Sequence, residues 1–256
     1  MMIIPISDDN SDRTTVPYVN YVLIILNIIV FVVFQQLGQD VNFTYAFSTV
    51  PQEIVTGKDL ITEDTTVRDP DTGQRALLPG LRETPYSVYI TLLVSMFMHG
   101  SIAHILGNML FLWIFGDNIE NTLGHLRYLL FYLVCGVLAS LAHVYATVLT
   151  GGDPTIPSLG ASGAISGVMG AYLLLFPMRR VTVILLRFIT QVPAVVAVGV
   201  WFVFQLINGL GMLGGASNGG VAYAAHIGGF VAGLVLVKIF AIGRQPAPQV
   251  SNYRRY

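Results

Sequence analysis

Cysteine is nearly absent from this chain: Cys135 stands alone among 256 residues. One thiol excludes an internal disulfide and any metal site built from several cysteines. Its place within an apolar run marks it as a small packing residue. Charge is scarce as well. Asp, Glu, Lys and Arg make up 11% of the chain, against about 25% in soluble domains. The net charge of -1 leaves no basic footprint for nucleic acid. No cleavable signal is expected, because the stretch before the first apolar run is acidic, with Asp8, Asp9 and Asp12. The first apolar run, Pro17 to Leu37, therefore reads as a retained membrane helix, long enough at ~1.5 Å per residue to cross a ~30 Å hydrocarbon core.

What the chain has is apolar length. Hydrophobic residues make up 54% and fall into long runs, which points to a polytopic membrane protein. Thr14-Thr15-Val16-Pro17 supplies a helix start, with a hydroxyl cap and a first-turn proline. From Gly38 to about Pro85 polar and turn residues dominate, including Asp69-Pro70-Asp71-Thr72-Gly73, so a long loop outside the hydrocarbon is expected. Residues 86–100 read as an interfacial, partly re-entrant continuation of it. Further spans are expected at 103–120, Leu126–Leu149, 161–176, Pro193–Ile207 and Val221–Ile242. A flexible, glycine-rich linker lies at Gly209–Gly220.

The fold expectation is therefore an all-α bundle of six transmembrane helices at 17–242, with an outer loop at 38–100. It is flanked by a cytoplasmic segment, 1–16, and a cytoplasmic tail, 243–256. Arg13, Arg127, Arg179, Arg180, Arg187, Lys238, Arg244, Arg254 and Arg255 fall on one side. The other side carries basic residues only in the acidic long loop. Positive-inside then places both flanks in the cytoplasm, and the expected location is a prokaryotic inner membrane.

Polar residues inside these runs fall at one depth. Counting from cytoplasmic anchors at ~1.5 Å per residue puts Ser162 about 25 Å up and His226 about 18–27 Å up. On the second span, His104 and Asn108 reach about 24 and 18 Å. The fourth span is short, about 24 Å, so the Pro154–Pro157 loop before it should dip inward, which irregular backbone tolerates only beside a watery cavity. Small residues agree with the depth count. Gly163, Gly167 and Gly170 form one stripe, while Gly229 and Gly233 share a face with His226. The two helices should pack there and bring the imidazole to Ser162.

A serine hydroxyl beside an imidazole is a nucleophile with its base. Acyl transfer further needs donors for an oxyanion, and His104, Asn108 and the Ser162 N–H are candidates. No carboxylate lies at that depth, which implies a Ser–His dyad. Each piece alone has a blander reading, as packing or as an interhelical hydrogen bond; the shared depth favours the site. Other polar and aromatic residues are given structural roles. Asn27 is read as an interhelical hydrogen bonder, His99 as bonding loop backbone, and His125 and His143 as interfacial. Trp113, Trp201, Phe202 and Phe204 are read as lipid-facing or packing. Asp117 and Glu120 should tie the cytoplasmic end.

These residues resemble the rhomboid family of intramembrane serine proteases. Gly160-Ala161-Ser162-Gly163 is similar to its Gly-x-Ser-Gly motif, and Ala225-His226-Ile227-Gly228-Gly229 through Gly233 to its Ala-His-x-x-Gly-x-x-x-Gly helix. His99, His104, Asn108 and Glu120 follow its second-helix pattern. The resemblance, covering about 17–242, implies a six-helix core and hydrolysis of peptide bonds in or beside a substrate's membrane span. It implies Ser162 as nucleophile, His226 as base and acid, and His104 and Asn108 as oxyanion donors, with no metal or organic cofactor. Partners would be transmembrane protein substrates and membrane lipid. Two departures stand out. The long loop has no Trp-Arg pair, and Ser166 occupies the place where some members stack a tyrosine on the histidine. Tyr223, Tyr172 or another aromatic would take its place, a choice the sequence leaves open. The rival reading is a rhomboid-fold pseudoprotease that binds membrane helices without cutting them.

Overall fold

The computed structural model describes residues 3–68, 75–213 and 222–244. Strand β1 (Ile3–Asp8) precedes helix α1 (Tyr18–Ile29), which continues as π-helix over Val30–Phe34. The outer segment holds α2 (Val41–Phe47), α3 (Pro51–Thr56), the hairpin β2 (Thr65–Arg68) and β3 (Arg75–Leu78), and α4 (Thr91–Val94). Then come α5 (Ile102–Leu123), α6 (His125–Leu149) and α7 (Ser162–Leu175). Strands β4 (Arg180–Leu185) and β5 (Phe188–Pro193) lead into α8 (Ala194–Leu213) and α9 (Tyr223–Phe240).

By length and apolar composition, α5, α6 and α9 can each cross a bilayer; Tyr18–Phe34, α7 and Ala194–Leu210 are shorter apolar helices. Burial is distributed as lipid demands. On α1 and its π-helical extension the exposed stripe is Val22, Ile25, Ile29 and Val33, while Asn20 and Asn27 are fully buried. An apolar surface over a partly polar interior is costly in water and favourable in hydrocarbon. The protein is thus a mainly helical, multi-pass integral membrane protein.

Polar side chains tie the helices together. Asn20 donates to the Leu112 carbonyl (3.0 Å) and accepts from the Tyr128 hydroxyl (2.7 Å), joining α1, α5 and α6. The Glu120 carboxylate accepts from the backbone N–H groups of Val19 and Asn20 at 2.9 and 2.7 Å. It thereby satisfies first-turn donors of α1 that the preceding Pro17 leaves open. Asn27, expected to bond between helices, also bonds within its own helix. Its amide donates to Leu23 O of its own helix, at 2.8 Å.

The all-α expectation needs correcting. Residues 180–193 form a β-hairpin, and β1 joins it in a three-stranded antiparallel sheet of order β1-β4-β5. The chemistry is β-branched alternation: Val181 and Val183 on central β4 are fully buried. Ile3–Asp8 of the expected N-terminal segment is therefore docked in a sheet. The outer loop likewise contains the short helices α2, α3 and α4 and a hairpin. Its Asp69–Gly73 turn lies outside the described residues, as do Arg254 and Arg255. Helix α8 runs on to Leu213, past Ile207 and through the first part of the expected linker; the rest of that linker, from Gly214, is outside the described residues.

Candidate active site

The site is set by how closely α7 and α9 approach. A β-carbon on Gly229 would collide with the Gly163 carbonyl oxygen, and one on Gly233 with the Gly167 carbonyl oxygen. Gly163 and Gly167 also abut Ala139 and Cys135 of α6, whose Cβ atoms would lie 2.6 Å from a side chain there. The glycine stripes legible in the sequence are thus in backbone-to-backbone contact, and Cys135 is buried among them.

One consequence is a hydrogen bond between helices. Ser162 Oγ, in the first turn of α7, lies 2.8 Å from His226 Nε2, in the first turn of α9. The approach to Ser162 is fixed by Gly160, whose φ of +130° suits glycine. A β-carbon there would stand 3.0 Å from His104 Nε2 and 3.7 Å from Ser162 Oγ. A side chain at position 160 would therefore crowd His104 and lie against Ser162. The loop before it is stitched to the outer segment: Thr49 and Ser158 exchange backbone hydrogen bonds (2.9 and 2.8 Å), and Gly160 N–H donates to Ser95 O at 2.9 Å.

Helix α5 supplies the next groups. The Ser101 hydroxyl accepts from His104 N–H (3.1 Å) and caps its N-terminus. One turn further along, Asn108 is buried, and its Nδ2 donates to no protein group. A buried amide donor without a partner is costly unless something else accepts from it. The N–H of Ser162 lies in the first turn of α7, where backbone donors lack intrahelical acceptors. A cavity of about 30 Å³ adjoins Ser162, bordered by Ser140, His143, Ser158, Gly160 and Ala225, room for about two waters. His143, expected at the interface, borders this cavity.

Two expectations about neighbouring residues fail. The ring nitrogens of His99 meet no hydrogen-bond partner; its backbone is what is held, with N–H donating to Gln35 Oε1 (2.8 Å) and C=O accepting from Gln35 Nε2 (3.0 Å). Its ring packs edge-on to His104, 5.1 Å between centroids. Tyr172 does not orient His226. Its hydroxyl donates to Asp8 of β1 at 2.6 Å, at the other end of α7. Tyr223 does meet the imidazole, edge-on at 6.3 Å, and Trp201 of α8 lies 6.1 Å from it.

Sequence reasoning missed Gln205. This buried residue of α8 places Oε1 2.8 Å from His226 Nδ1. The available signal was a lone amide in the apolar run Val200–Ile207. The polar cluster at the opposite end was also only partly foreseen. Asp8 accepts from Asn118 Nδ2 (2.7 Å), Arg13 donates to Asp117 (2.7 Å), and Arg179 donates to Asp12, Asn118 and the Asp9 carbonyl. Burial and nearby Asp117 push the Asp8 carboxyl up to about 7. His125, read as interfacial, pairs with Glu120. Among the described residues no cluster of three or more His, Cys, Asp or Glu is placed to hold a metal ion.

Comparison with known proteins matches residues 86–242 to the Rhomboid domain family model. "Rhomboid protein 1, mitochondrial" of Saccharomyces cerevisiae is 33% identical over 147 residues, covering 57% of this chain and 40% of that protein. "Presenilin-associated rhomboid-like protein, mitochondrial" of Homo sapiens is 35% identical over 119 residues, covering 46% and 31%. "Rhomboid protease GluP" of Bacillus subtilis is 35% identical over 137 residues, covering 52% and 25%. These matches span less than half the length of each relative. With mitochondrial proteins among them, they do not support a prokaryotic assignment.

Proposed function

The chain belongs to the rhomboid family, and from that premise we propose that it is an intramembrane serine endopeptidase working through a Ser162–His226 dyad. The observation that carries this reading is the 2.8 Å contact between Ser162 Oγ and His226 Nε2. Ser162 Oγ attacks the scissile carbonyl carbon while His226 Nε2 takes the hydroxyl proton. His104, Asn108 and the Ser162 N–H donate to the oxyanion that forms. The imidazolium then protonates the leaving amine, and the acyl-enzyme keeps the new ester to Ser162. A water, activated by the same nitrogen, attacks that ester and releases the acid. The small polar cavity beside Ser162 is a suitable source for it.

In this reading six spans form the bundle: α1 with its π-helical extension, and α5 to α9. The Arg13, Arg127 and Arg179 side faces the cytoplasm or its equivalent, and the dyad lies toward the opposite leaflet. The substrate is a membrane-spanning segment that reaches the site from the lipid, past α8. It must unwind locally to present a peptide bond, so small or helix-breaking residues near the cut are favoured.

The test is cleavage of a single-span reporter protein by purified enzyme in liposomes. Wild type should produce two fragments and Ser162→Ala none. Cleavage by Ser162→Ala would end the serine mechanism. An intact reporter that still binds the wild-type protein would favour helix binding without proteolysis.

A further inference from the structure

We infer that Gln205 is a positioning residue that selects the working tautomer of His226. The inference rests on the dyad reading above. A neutral imidazole carries one proton on two nitrogens. To accept from Ser162, Nε2 must hold its lone pair, so the proton must sit on Nδ1. A histidine side chain free in water favours the opposite arrangement. In a serine–histidine site the bond to the far nitrogen therefore decides whether the base can act. The described residues place one hydrogen-bond partner on that nitrogen, Gln205 Oε1 at 2.8 Å. Nδ1–H donates and the amide oxygen accepts.

The placement is held by packing. Trp201, Phe202, Gln205 and Gly209 lie at i, i+1, i+4 and i+8, one face of α8. Phe202 stacks on Phe230 of α9, with ring centroids 4.0 Å apart and planes at 16°. A β-carbon on Gly209 would stand 3.2 Å from Ile227 Cδ1 and 3.4 Å from Tyr223 Cβ. These contacts seat α8 against the turns of α9 that carry His226, and Gln205 is 6% exposed. An amide also suits the location better than a carboxylate. It accepts a hydrogen bond from Nδ1–H without placing a second charge in an apolar helix. Because Gln205 belongs to neither helix of the dyad, the state of the base is tied to how α8 sits on α9.

The test uses full-length protein in detergent micelles, with reporter cleavage kinetics and ¹⁵N NMR of labelled histidine. The His226 signal is assigned by its loss in His226→Ala. Wild type should show Nδ1 protonated and Nε2 bare. Gln205→Met, similar in size but without the acceptor, should mix the tautomers and lower kcat about 10- to 100-fold with KM little changed. Gln205→Glu restores an acceptor; it should return the Nδ1–H form and raise kcat about tenfold or more over the Met variant. An Nε2–H imidazole in wild type would overturn the inference whether or not the variants fold. So would wild-type kcat in Gln205→Met, or a Glu variant no better than Met. If wild type cleaves only through Ser162 while these outcomes fail, the dyad stands and Gln205 alone falls. Loss of Ser162 dependence would instead remove the dyad.

Discussion

Gly229 of α9 rests against the carbonyl of Gly163 on α7, with no room for a β-carbon, and this contact sets the spacing of the dyad. Ser162 precedes Gly163 by one residue, and His226 precedes Gly229 by three, so each side chain sits within a turn of the contact. Gly229→Ala must push the helices apart or strain them. The expected result is a loss of about 1–3 kcal/mol in stability, with cleavage reduced at least tenfold while the protein still folds. Thermal unfolding and reporter cleavage check this together. A variant with wild-type stability and rate would show that the contact is not what holds Ser162 to His226.

His104 and Asn108 should matter to the rate more than to binding. If they donate to the oxyanion, Asn108→Ala and His104→Ala each lower kcat by about 10²–10³, with much smaller changes in KM. Steady-state kinetics on the reporter give both numbers. Unchanged kcat in Asn108→Ala would return its unpaired amide to a structural role.

Asp8 gives the sheet a pH dependence of definite sign. Its carboxyl is raised from 3.8 to about 7, mainly by burial and then by Asp117. Between about pH 4 and 7 the folded protein holds a proton there that the unfolded chain has released, so this group's contribution to stability falls as pH rises through that window. The Tyr172 and Asn118 donors both point at one oxygen, Oδ2, which an asparagine can imitate. Asp8→Asn should therefore gain on wild type in thermal unfolding as pH rises from 4 to 8, and the gap should level off above about 7. A constant gap across that range would contradict it.

Much of the candidate site's geometry was legible because membrane helices impose a ruler. A count of residues from Arg179 and Lys238 put Ser162 and His226 at one height, and glycines three and four apart named the faces that meet. The sheet was hidden for two physical reasons. The β4–β5 turn, Leu186-Arg187, has neither glycine nor asparagine, and Leu186 adopts a φ of +60° without a sequence signal. The partner strand β1 is more than 170 residues away in sequence, as Asp8 pairs with Val181. Gln205 was missed because a single amide in an apolar helix looks like any interhelical bond until its neighbour is known. Tyr172 was misjudged because a side chain ten residues along α7 from Ser162 is about 15 Å away, at the opposite end of the helix.

The most direct measurement is covalent. Wild-type protein in detergent is treated with a fluorophosphonate and digested, and the adduct is mapped by mass spectrometry. The account predicts a single adduct on Ser162, absent in Ser162→Ala and strongly reduced in His226→Ala. An adduct on another serine, or equal labelling of the His226→Ala protein, would contradict it.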